Sequence, residues 1–153
     1  MEKEIYISKE GLDKIKAELA EIEGIKIKEI AQKIAEAKDM GDLSENAEYH
    51  EAKQTQAFLF GKAQELKYKI KHAKLIQHCK GNDEVKVGCT VKLKDSSGEI
   101  EYSLVGSDEA DPLSGKISFE SPIGASLLGH KKGDSVEVKT PSGSQSYKIV
   151  AIS

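Results

Sequence analysis

The sequence predicts an α+β chain in two parts: an N-terminal antiparallel helical hairpin over residues 1–79 and a C-terminal antiparallel sheet with one short helix over residues 80–153. The spacing of apolar residues carries this reading, because it changes from steps of three and four to alternation near residue 80. A second observation supports it. Met40-Gly41-Asp42-Leu43-Ser44 interrupts the helical half, and so short a break allows only an antiparallel return of the chain.

In the first arm Leu12, Ile15, Leu19 and Ile22 form one apolar stripe, and Ile27, Ile30, Ile34 and Ala37 resume it after a phase shift near Gly24. The second arm is regular, with Tyr49, Ala52, Gln56, Leu59, Ala63, Leu66, Ile70 and Ala73 on one seam. Two narrow seams of this kind pair as a coiled coil. Each arm is about 30 residues and so on the order of 45 Å long. Ser8 is placed to cap the first helix, Gly41 to end it, and Ser44 or Asp42 to cap the second.

Lys80-Gly81-Asn82-Asp83-Glu84 reads as a linker. Beyond it, Val91/Leu93, Ile100/Tyr102/Leu104, Ile117/Phe119, Val136/Val138 and Tyr147/Ile149 alternate with polar residues and are separated by Gly-, Pro- and Asp-containing turns. Ser121-Pro122 opens a short helix between the third and fourth of these strands, with Ser121 as cap and Pro122 at its first position.

Composition narrows the function. The 23 basic residues are all Lys, against 26 acidic ones, and a net charge of −3 excludes duplex nucleic-acid binding by bulk electrostatics. No run of apolar residues is long enough to span a membrane and the start has no secretory-signal pattern, so a cytoplasmic protein is expected. Cys79 and Cys89 have no zinc spacing, and one pair is too few for a disulfide framework, so two reduced thiols are expected.

The charge is unevenly placed. Glu36, Asp39, Asp42, Glu45, Glu48 and Glu51 crowd the hairpin turn with only Lys38 among them, while six Lys from Lys62 to Lys80 face only Glu65. Solvated helix faces commonly carry such runs, but like charges at a turn repel. Asp42 and Glu45, three apart, admit two readings. They can cap and charge-complement the second helix, or they can offer two oxygen ligands to a hard cation such as Mg²⁺, which takes one or two protein carboxylates and keeps waters. Two ligands hold such an ion weakly, so the second reading makes most sense if the rod delivers the pair into another protein's site.

The run Ile34-Ala-Glu-Ala-Lys-Asp-Met-Gly-Asp-Leu-Ser-Glu-Asn-Ala-Glu-Tyr-His-Glu-Ala-Lys53 closely resembles the tip signature of the bacterial GreA/GreB transcript-cleavage factors. Glu109-Ala-Asp111, Gly115-Lys-Ile-Ser118, Ser121-Pro-Ile-Gly-Ala-Ser-Leu-Leu-Gly129, Gly133-Asp134 and Pro141-Ser-Gly143 resemble the same family in order and spacing, so the resemblance runs from about residue 6 to 152. The Leu-Ser after Asp42 and the modest Lys count favour its GreA-like branch. Ile27-Lys28 departs from the Arg-Pro common there.

The resemblance implies a monomeric accessory factor for bacterial RNA polymerase that inserts its hairpin through the secondary channel. It further implies that Asp42 and Glu45 help hold the polymerase's second Mg²⁺, reviving hydrolysis of the RNA 3′ end in backtracked complexes. Lys38 and Lys53 then contact the RNA 3′ segment. The C-terminal half would be an FKBP-like docking domain, with Ser121, Pro122 and Ile123 on the channel rim. A related reading is a channel-binding regulator without cleavage, whose family examples have altered tips. A prolyl isomerase would need an aromatic-lined pocket, which three aromatic residues already used in strands do not supply. No nucleophile–base constellation argues for a free-standing hydrolase.

Overall fold

The structure, a computed structural model, describes residues 3–42, 44–77, 79 and 84–153. It divides into two compact units, one formed by residues 1–11 and 73–153 and the other by residues 12–72.

The second unit is the helical hairpin. Helix α1 (Lys9–Glu21) passes through a π-helical turn (Ile22–Lys26) into α2 (Ile27–Asp39), and α3 (Ala47–Lys71) returns beside it. The π turn is the physical form of the phase shift read near Gly24. Ile22 and Ile27 are five apart, and a π turn accommodates one extra residue while keeping both on the seam. Ile22, Ala63 and Leu66 form the buried centre, with Ile15, Leu19, Ile27 and Leu59 packed around them. The remaining seam residues are all at least partly buried. With so narrow an apolar stripe, each large residue at the centre counts heavily.

The other unit holds a five-stranded sheet in the order β5-β4-β3-β7-β6, made of β3 (Thr90–Asp95), β4 (Gly98–Val105), β5 (Lys116–Ser118), β6 (Ser135–Thr140) and β7 (Gly143–Ile152). All five strands fall on the alternating runs of the sequence. The sheet departs from a purely antiparallel one, since β5 pairs with β4 in parallel: after β4 the chain passes through two short 3-10 turns (Ser107–Glu109 and Pro112–Ser114) before it returns to the edge. Val91, Leu93, Leu104, Val138 and Ile149 are fully buried in its core. Ile100 is an exception to the expected alternation, being exposed because the first half of β4 extends beyond the packed core. Helix α4 (Pro122–Leu127) covers the core through Leu127, and Ser121 caps it by accepting the Gly124 N–H at 3.1 Å.

Two short strands have no counterpart in the sequence reading. β1 (Ile5–Ile7) and β2 (Ala73–Leu75) pair in parallel, with Ile7 opposite Leu75, at the points where the chain enters α1 and leaves α3. Ala73 continues the helical spacing of the seam, yet α3 ends at Lys71 and Ala73 belongs to β2. Tyr6 packs edge-on against Phe119 with ring centroids 5.2 Å apart, and Lys74 reaches Glu4 at 3.1 Å.

Ser8 caps α1 as expected: its hydroxyl accepts the Gly11 N–H at 3.0 Å. That hydroxyl and the Ser8 N–H both donate to the carboxylate of Glu109, 101 residues away in sequence. Gly106 accounts for the closeness of this region. A Cβ built there would stand 1.8 Å from the Tyr6 carbonyl oxygen, so the turn after β4 lies directly against β1.

The expectation of two reduced thiols is corrected by the fold, which joins Cys79 and Cys89 in a disulfide. Sequence spacing excluded a metal site but could not show that the segment after β2 is laid against the turn before β3. Most of the anticipated linker, residues 80–83, lies outside the described residues, as does Leu43 at the hairpin turn.

Candidate functional site at the hairpin tip

The tip is built by the end of α2 and the start of α3. Met40 closes α2, donating its N–H to the Ala37 carbonyl at 3.2 Å, and Gly41 follows at φ +143°, a backbone setting that L side chains rarely adopt. The N-cap of α3 is Asn46, a correction to the expectation of Ser44 or Asp42. Its side-chain oxygen accepts the Tyr49 N–H at 3.1 Å, and its amide donates to the Ala37 carbonyl at 2.6 Å. One side chain therefore caps the second arm and ties it to the last turn of the first. Replacing Asn46 with Ala removes both bonds and is expected to cost about 1–2 kcal/mol. The check is a lower urea midpoint for the loss of helical circular dichroism.

Asp42 and Ser44 are engaged with each other instead. The Ser44 N–H and hydroxyl both donate to Asp42 Oδ1, at 3.0 and 2.8 Å. These bonds stabilise the ionised form, the backbone one most, and hold the Asp42 carboxyl below its ordinary pKa. Asp42 is thus a fixed carboxylate at neutral pH, with Oδ2 directed to no described partner. Glu45 is exposed and makes no hydrogen bond or ion pair with a described residue.

Met40, Gly41, Asp42, Glu45, Asn46, Ala47 and Glu48 together line a solvent-open cleft of about 440 Å³. The structure therefore brings Asp42 and Glu45 to one cleft. Among the described residues no group of three or more His, Cys, Asp or Glu side chains is placed to hold a metal ion. Two hard carboxylates suit Mg²⁺ by ligand type but leave most of its coordination to other donors.

Lys38 is exposed on the last turn of α2. Lys53 is exposed on α3, with its ammonium 3.4 Å from the Gln56 side-chain oxygen. The two cations flank the acidic cleft in sequence on its opposite arms. In the other unit, Ser121 is held by the Gly124 N–H and by donating to the Ser118 carbonyl at 2.6 Å. Pro122 is exposed beside it, and Ile123 is half-buried against the sheet core.

Sequence reasoning assigned Glu109 to a motif without a role. Its role here is to receive Ser8 where α1 begins, a pairing across 101 residues for which no local pattern exists.

A mostly antiparallel sheet carrying a capped short helix, together with a coiled-coil hairpin that presents two carboxylates at its turn, defines the class of protein. Comparisons with known proteins give the family. Residues 5–75 match the family described as "Transcription elongation factor, N-terminal", and residues 80–153 match "Transcription elongation factor, GreA/GreB, C-term". The chain belongs to the GreA/GreB family of transcription elongation factors.

It is 48% identical to the transcription elongation factor GreA of Thermoanaerobacter pseudethanolicus, over 99% of each chain. It is 47% identical to that of Clostridium acetobutylicum, over 99% of this chain and 98% of the relative. Among solved structures it is similar to GreA factor homolog 1 of Thermus thermophilus, at 26% identity over 99% of each chain and a TM-score of 0.45. Within the described residues no helix is long and apolar enough to cross a membrane.

Proposed function

We propose that this chain is a monomeric cytoplasmic factor that enters the secondary channel of bacterial RNA polymerase and stimulates the polymerase's own cleavage of the RNA 3′ end in backtracked complexes. The observation that carries this reading is the tip: Asp42, whose Oδ1 accepts two hydrogen bonds from Ser44, shares an open cleft with Glu45, and neither carboxylate is neutralised by a described Lys. Beyond the Ser44 bonds to Asp42, the two carboxylates are open to solvent at the hairpin turn.

In this reading residues 12–72 deliver the tip and the unit formed by residues 1–11 and 73–153 docks on the channel rim. Asp42 and Glu45 would supply two oxygen ligands to a Mg²⁺ shared with the polymerase, and their free oxygens could accept hydrogen bonds from a water. When bound, the ion supplies charge stabilisation at the phosphoryl oxygens. Asp42 enters already deprotonated, so no proton need leave it first. Lys38 and Lys53 place positive charge beside the RNA 3′ segment. Ser121, Pro122 and Ile123 form the contact that holds the factor in place, with Ser121 fixing the start of α4 and Pro122 exposed upon it. The protein itself is then no enzyme; the reacting centre belongs to the polymerase.

The test is RNA cleavage in stalled, backtracked elongation complexes with Mg²⁺, with and without the factor. Accelerated shortening of the RNA 3′ end supports the proposal. A factor that binds the polymerase and slows synthesis without accelerating cleavage would instead be a channel-binding regulator. Pro122→Ala and Ile123→Ala are expected to weaken polymerase binding about tenfold each, in the range of interface side chains that anchor a contact. Cleavage at saturating factor should remain intact, and a titration of cleavage rate against factor concentration separates the two effects.

A further inference from the structure

The chain has only two cysteines, and the fold spends both on one bond at a particular place. Cys79 lies four residues beyond β2, the strand through which the chain leaves the hairpin, and Cys89 immediately precedes β3. Close packing at Gly88 brings them together. At Gly88, a Cβ would stand 2.2 Å from Ile76 Cγ2 and 2.7 Å from the Gln77 carbonyl oxygen, so the segment after β2 lies directly on the turn before β3. The Cα atoms of Cys79 and Cys89 are then 4.9 Å apart, within bridging range. Cys89 is 1% exposed in the sheet core, while Cys79 is half-buried at the edge of that core. Cys79 is therefore the less buried of the two residues.

We propose that Cys79 and Cys89 form a redox-responsive staple that fastens the segment leaving β2 to the sheet and is made and broken reversibly. In a reducing compartment a disulfide without a framework around it is held open by thiols and closes on oxidation. Closure by a hydroperoxide balances as follows. The Cys79 thiolate attacks the peroxide oxygen and becomes a sulfenic acid, releasing hydroxide. The Cys89 sulfur then displaces the sulfenic hydroxyl, so that two thiols and one hydrogen peroxide give one disulfide and two waters. Opening by a dithiol runs through attack on the sulfur of Cys79, the less buried residue, which expels the Cys89 thiolate. The dithiol's second thiol then displaces Cys79 and leaves as a cyclic disulfide, having passed two electrons to the protein.

The staple closes a short loop, and constraint of the unfolded chain is expected to raise Tm by about 10 °C in the oxidised form. The experiment uses the full chain, reduced with dithiothreitol and then titrated with hydrogen peroxide. Free thiols are counted by alkylation and mass spectrometry on each form. Two alkylated thiols before oxidation, none after it, an unchanged monomer mass and the Tm difference are expected.

The amides of Gly88 and Cys89, which donate to the Leu104 and Lys86 carbonyls, should exchange with solvent roughly tenfold more slowly once the staple closes. Cys79→Ser should abolish the Tm response to peroxide while keeping the buried Cys89 in place, and Cys89→Ala provides a second variant that buries no hydroxyl. Thiols that stay alkylatable in the folded protein after peroxide, cross-linking between chains instead of within one, or a closed disulfide with Tm and exchange unchanged would each overturn the proposal. None of these readouts uses RNA polymerase, so they stand or fall apart from the cleavage reading.

Discussion

Asp42→Ala and Glu45→Ala are each expected to lower factor-stimulated RNA cleavage by about 10²-fold, the size of loss typical when a preorganised charge is removed from a transition state. Neither side chain belongs to the buried seam: both are exposed, Asn46 rather than Asp42 caps α3, and the hydrogen bonds of Asp42 with described residues are the two from Ser44 within the exposed turn. Thermal stability and affinity for the polymerase should therefore be close to unchanged. The double variant should fall little below either single one, because in the proposed role the two carboxylates serve one ion and so act as a unit. Asp42→Asn is the sharper replacement. It keeps the shape and one acceptor oxygen for Ser44 but removes the charge, so a variant as inactive as Asp42→Ala assigns the effect to charge. Undiminished cleavage by the double variant would reject the tip assignment.

Gly106→Ala is expected to be the most damaging small substitution in the globular unit. Gly106 is buried, and its Cβ would stand 1.8 Å from the Tyr6 carbonyl oxygen, an atom of the backbone that cannot swing aside as a side chain could. Either β1 moves away from the turn or the turn itself moves. The first route breaks the Ile5–Ile7 pairing with β2 and loosens Ser8 from Glu109; the second shifts Glu109, whose N–H is bonded to the Gly106 carbonyl at 3.0 Å. Overpacking of this kind costs roughly 3 kcal/mol, or a fall in Tm of roughly 10–20 °C for a unit of this size. A Tm within about two degrees of wild type, small against that expected fall, would show that β1 is free to shift without loss.

Elements with a sustained period were the legible ones. The two seams repeat over many turns, so single deviations could not hide them, and even the π turn was visible as a five-residue step from Ile22 to Ile27. The five strands of the sheet alternate and are bounded by turn residues. β1 and β2 could not be read, because each adjoins a long helix and Ala73 also satisfied the helical period, whereas the equally short β5 is set off by Gly115 before it and Ser121-Pro122 after it.

The tip carboxylates were legible as a pair, through their spacing and the resemblance that their neighbours carry. Their arrangement was not. Asp42, Ser44 and Asn46 are all cap formers in close succession, and the order is settled only when Ser44 turns to Asp42 and leaves the cap to Asn46. The Ser8–Glu109 contact depends on where the chain returns after 101 residues, and the Cys79–Cys89 bond, though only ten residues apart, on how the segment after β2 is laid on the turn before β3; local sequence encodes neither.

The parallel pairing of Ile7 with Leu75 places the entrance and exit of the hairpin side by side. Topologically, the rod is an insertion into an otherwise continuous domain, attached through two adjacent strands. Equal lengthening or shortening of both arms leaves those attachment strands in register, and substitutions at the far end leave them untouched. Residues at the turn can therefore vary in evolution separately from those of the globular unit, so that one scaffold can carry different tips.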